Sequence, residues 1–131
     1  MSVIEALAKL TEYATELDTL SKSLTEIERL IEPVDEQVTR FCDDYEIGLY
    51  TRSTEEDGYK LPSESLRVKL ARRALPPELY GKHVALHASR DRLERRIRDL
   101  KLLVDAQRSL VSAYKLELEA SSGGQPAWSR A

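Results

Sequence analysis

"VIEALAKLTEYATELDTLSKSLTEIERLIEPVDEQVTRFCDDY", residues 3–45, carries an apolar side chain at alternating steps of three and four along its whole length. With Val3 at heptad position a, the a positions are Val3, Leu10, Leu17, Leu24, Ile31, Val38 and Tyr45, and the d positions are Ala6, Tyr13, Leu20, Ile27, Val34 and Phe41. A stripe of that period keeps one helix face turned toward a partner, so the segment predicts a long helix with a coiled-coil seam. Ser2 and Glu5 have the spacing of a capping box at its start. Pro33 falls at an outward c position, where loss of a backbone donor and a clash with the preceding turn predict a kink.

A second segment of similar length begins at "LPPELYGKH", with proline tolerated in the first turn, and runs to about residue 120, with Gly123 as its stop. Its seam reads Leu79, His83, Leu86, Arg90, Leu93, Ile97, Leu100, Val104, Gln107, Val111, Tyr114 and Leu118. Matched lengths predict an antiparallel hairpin, with layers whose residue numbers sum to 124: Tyr45 with Leu79, Ile31 with Leu93, Leu24 with Leu100, Ala6 with Leu118. The same register brings Asp44 near Lys82, Lys9 near Glu117 and Glu28 near Lys101. The polar seam residues His83, Arg90 and Gln107 are expected to fix register rather than to bind a ligand.

Residues 46–76 are read as a connection, an ordered loop followed by a short helix over about 64–74. Ser63 caps that helix, which is expected to turn Leu66, Leu70 and Ala74 to one face. The expected organisation is therefore an all-α hairpin domain over residues 1–122, with helices near 3–45 and 77–120, and a flexible tail at 123–131. Trp128 in that tail is read as either incidental or an anchor for a partner.

Composition narrows the functional classes. The 131 residues are 41% hydrophobic and 33% charged, enough for one small soluble domain. No apolar run approaches the roughly 20 residues of a membrane span, and the N-terminus lacks a secretory signal, so a cytoplasmic protein without membrane association is expected. One cysteine, Cys42, excludes an internal disulfide and is read as a small buried apolar group beside Phe41. No phosphate-loop, dinucleotide, zinc-protease, nucleophile-elbow or calcium-loop motif is present, so neither catalysis nor a cofactor is expected. His83 and His87 stand four apart on one helix and could clamp a metal, but the sequence offers no evident third ligand, so no metal site is expected.

The net charge of −3 conceals a division. Residues 1–57 hold 15 acids and 5 bases, while residues 60–101 hold 12 bases and 5 acids. The densest stretch is "RDRLERRIRDLK", residues 90–101. Arg92, Arg95 and Arg98 fall on its outer face at c, f and b, Asp91 with Arg95, Glu94 with Arg98 and Arg95 with Asp99 stand four apart, and only Arg96 lies beside the seam. Together with Arg72, Arg73 and Lys82, these arginines are candidate contacts for a protein partner. A phosphate backbone is the alternative occupant, opposed by the acidic first helix and by the lack of interleaved aromatic residues. Leu30, Leu103 and Leu110, all at g, with Leu7 at e, widen the apolar stripe beyond what two helices cover and predict a homodimer with four-helix packing.

The coiled-coil first helix, the segment "KLPSESLRVKLARRALPP" at 60–77, the use of 13 arginines against 7 lysines and the Gly-containing tail resemble the small helical-hairpin proteins of phages and prophages of GC-rich bacteria. That resemblance implies an accessory or assembly role in phage replication, recombination or particle building, as a scaffold or adaptor or, alternatively, as a factor on nucleic acid. It carries over no site residue.

Overall fold

The computed structural model describes residues 2–122, so the tail at 123–131, with Gly123 and Trp128, lies outside the described residues. It is all-α: α1 (Val3–Glu55), α2 (Glu64–Ala74) and α3 (Pro77–Ser122), with no strand among the described residues. The chain divides into two compact units, residues 1–24 with 92–131, and residues 25–91.

The capping box at the start of α1 is formed in both directions. Glu5 N donates to Ser2 Oγ at 3.2 Å and Ser2 N to Glu5 Oε2 at 3.4 Å, which satisfies two of the helix's orphan donors. All thirteen positions assigned to a and d of α1 are buried or half-buried. In α3 the same holds for every seam residue except Leu118, which is exposed.

Among the described residues of the unit formed by 1–24 and 92–131, the buried ones are Ala6, Ile97, Leu100, Val104, Gln107 and Val111. Glu16 on α1 accepts two hydrogen bonds from the Arg96 guanidinium, at 3.1 and 2.8 Å. Layers summing to 124 do not fit this pair: they set Glu16 level with Arg108, twelve residues or about 18 Å from Arg96, beyond the reach of the two side chains. The Lys9–Glu117 pair that belonged to the same register is not made among the described residues.

In the unit of residues 25–91, α1 runs unbroken through Pro33 and continues ten residues past the expected end at Tyr45. The expected connection at 46–76 thus contracts to residues 56–63 before α2. The cause lies in residues 46–55 themselves. Leu49 is buried, Glu46 and Tyr50 face Arg67 of α2, and Arg52 ties the last turn to Glu56 at 2.6 Å while its guanidinium lies 4.2 Å over the Tyr59 ring. Gly58, at φ 83°, then turns the chain in a conformation that a side chain would disfavour.

α2 matches its expected bounds, with Ser63 Oγ accepting from Leu66 N at its N-terminus. Its inward face differs from expectation. Ala71 is buried, and Arg67 and Leu70 are half-buried, while Leu66 and Ala74 are exposed. The displacement follows from Arg67, whose guanidinium donates to Pro62 O at 2.7 Å, stands 4.0 Å from the Glu46 carboxylate and 5.1 Å from the Tyr50 ring centre. The side of α2 turned inward is therefore the one bearing Arg67 and Ala71, with the buried Arg67 Nε left without a hydrogen-bond partner among the described residues.

Candidate functional site

In the unit of residues 25–91 a polar cluster joins α1 to α3. Nδ1 of His83 and Nε2 of His87 both lie against Oδ1 of Asp35, at 3.0 and 2.7 Å. The two histidines occupy successive turns of α3, so their rings come within 4.4 Å, tilted by 55°. Asp35 stands at heptad position e of α1, beside the seam. All three residues are half-buried.

The charge state of the carboxylate fixes the proton positions. Burial raises the Asp35 pKa, but the hydrogen bond and charge of His87, followed by those of His83, outweigh it and hold the carboxyl below its ordinary range. An ionised carboxylate only accepts, so His83 donates from Nδ1–H and His87 from Nε2–H. Both protons converge on one oxygen. Glu32, Glu36, Asp43 and Asp44 line an open cleft with Asp35 along the same face of α1, with Arg40 as its cation.

The sequence singles out the histidine pair by its spacing but not the carboxylate, which comes 48 residues before His83 in the chain. The available signal was the e position of Asp35, one of the acids flanking the seam where a partner helix is within reach.

Arg72, Arg73 and Lys82 are exposed in the unit of residues 25–91, and Arg92, Arg95 and Arg98 are exposed in the other unit. The Arg96 guanidinium of this run reaches Glu16 of α1. Among the leucines, Leu30 is exposed in the unit of residues 25–91, and Leu7, Leu103 and Leu110 are exposed in the other. Cys42, expected to be buried, is half-buried, in a groove shared with Val38, Glu46, Val68, Ala71 and Arg72.

No protein-family model, curated protein or solved structure matches the chain. No helix among the described residues is long and apolar enough to cross a membrane.

Proposed function

We propose that the chain is a non-enzymatic scaffold or adaptor, an antiparallel coiled-coil hairpin that self-associates through the leucines flanking its seam and offers its remaining surface to a protein partner. The observation that carries this reading is the exposure of Leu7, Leu103 and Leu110 beside the buried seam of one unit, at e and g positions that a third and fourth helix would cover. Exposed apolar residues on both helices of the same unit favour a second copy as that cover.

The register we infer for that unit is the expected one slipped by a single heptad, with layers summing to 117: Ala6 with Val111, Leu10 with Gln107, Tyr13 with Val104, Leu17 with Leu100. The slip sets Glu16 within five residues of the level of Arg96, which matches their bridge. It leaves Leu118 with no layer partner, in keeping with its exposure, while Tyr114 stays half-buried opposite Val3.

Sedimentation equilibrium tests the self-association. The wild-type chain should sediment as a dimer at micromolar concentration, and changing Leu103 and Leu110 together to Glu should give a monomer whose helical circular dichroism is retained, because the seam residues are untouched. A monomeric wild type would overturn the reading.

A further inference from the structure

We propose that Asp35, His83 and His87 form a binding site for a divalent transition metal, with zinc as the ion whose chemistry fits best. The inference is independent of the dimer, since the three residues belong to a different unit from Leu7, Leu103 and Leu110.

The three potential ligand atoms lie within 4.8 Å of one another. Zinc holds imidazole nitrogen and carboxylate oxygen at about 2.0–2.1 Å, which in a tetrahedral site sets neighbouring ligand atoms about 3.3 Å apart. The two nitrogen–oxygen edges are now 3.0 and 2.7 Å, so each needs to open by only about half an ångström to admit the ion, while the nitrogen–nitrogen edge lies within 4.8 Å. Two imidazoles against one carboxylate select zinc and its transition-metal neighbours over magnesium or calcium, which prefer oxygen throughout. Histidines four apart on a helix already present two ligands on one face, and half-burial leaves a route for the ion and for a water as fourth ligand. The acidic cleft around Asp35 supplies a field of the correct sign.

Metal entry exchanges these hydrogen bonds for coordination. The proton that His83 carries on Nδ1 and the one that His87 carries on Nε2 leave those atoms, each passing to the ring's other nitrogen where that is unprotonated and to solvent where it is not. Each ring then turns a lone pair toward the ion, while Asp35 binds through a carboxylate oxygen. The bound ion would join α1 to α3 within this unit and, by binding only the folded chain, would stabilise it.

The test uses the untagged full chain, stripped with a chelator and titrated with zinc at pH 7.4 against a chromophoric competitor. One zinc per chain should bind with a dissociation constant of about 10 μM or tighter, magnesium should not compete, and the thermal midpoint should rise by several degrees. Cobalt in place of zinc should give visible absorption bands of a low-coordinate, nitrogen-ligated site. His83→Gln, His87→Gln and Asp35→Asn should each weaken zinc binding at least tenfold while circular dichroism stays helical. For any variant that fails to fold, the imidazole nitrogen resonances of the wild-type chain give a mutation-free readout, with Nδ1 of His83 and Nε2 of His87 shifting on zinc addition. The proposal is overturned if the wild-type chain binds no zinc tighter than about 100 μM, if the imidazole resonances stay in place, or if affinity survives the His83→Gln/His87→Gln double change.

Discussion

At Asp35 a single carboxylate oxygen receives two imidazole protons, and the metal-free chain depends on that oxygen to satisfy both rings. Removing it leaves two half-buried donors to find water. Asp35→Ala should therefore lower the thermal midpoint of the metal-free chain by about 3–5 °C, corresponding to about 1 kcal/mol for hydrogen bonds to a partly solvated ion, as read by circular dichroism. Cys42 presents the opposite case of a group withheld from its charged form. Burial raises its pKa first, Asp43 and Glu46 add to that, and Arg72 opposes them. A raised pKa means less thiolate at a given pH, so Cys42 should react with a disulfide reagent at pH 8 several-fold more slowly in the folded chain than in urea. Arg72→Ala removes the one opposing charge and should slow the reaction further. Equal folded and unfolded rates would contradict the burial seen here.

Among the elements, α3 carries a polar group where its seam is otherwise apolar. Gln107 is buried at position d, and its Oε1 has no hydrogen-bond partner among the described residues. A buried acceptor without a donor costs more than an apolar group of similar size, so Gln107→Leu should stabilise the chain by about 1 kcal/mol, measured as a higher urea midpoint with unchanged slope. A loss of stability would mean that this oxygen is satisfied in solution. α2 depends on a different balance, because its inward face contains few apolar residues and is fixed by Arg67. Arg67→Ala should speed hydrogen exchange across residues 64–74 while leaving the exchange of residues 97–111 unchanged, a local effect of the kind expected for a weakly packed element. Uniform acceleration in both regions would indicate that α2 is needed for the stability of the whole chain.

For the whole molecule, the inferred register and the arginine run each make a prediction. In a Cys42→Ser background, cysteines replacing Leu17 and Leu100 should crosslink within one chain, whereas the pair replacing Leu24 and Leu100 should not, because a slip of seven residues separates their levels by about 10 Å. The reverse result would restore layers summing to 124. As to charge, Arg92, Arg95 and Arg98 are exposed, yet their helix interleaves acids with them and its neighbour Arg96 is engaged by Glu16. The chain should leave duplex and single-stranded probes unshifted at about 0.15 M salt, where screening confines surface fields to roughly 8 Å. A micromolar complex that weakens steeply with salt, and more gently after all three are changed to Gln, would favour the phosphate-backbone alternative instead.

Sequence alone determined the helical class, the capped start of α1, the bounds of α2 and which face of each long helix turns inward. Each of these follows from interactions within a few residues, such as Ser2 with Glu5 and Ser63 with Leu66, or from a periodicity repeated over many turns. The end of α1, the inward face of α2 and the third member of the histidine cluster were decided by tertiary structure. Residues 46–55 have no strong helical pattern of their own and are helical where Leu49 is buried and α2 engages Glu46 and Tyr50 through Arg67. Layers summing to 124 and to 117 bring apolar seams together almost equally well, since a heptad repeat is nearly degenerate under a shift of seven, and only a specific pair such as Glu16 with Arg96 separates them. Asp35 meets His83 and His87 for the same reason: residues dozens of positions apart become neighbours only when the packing of α1 beside α3 sets them at one level.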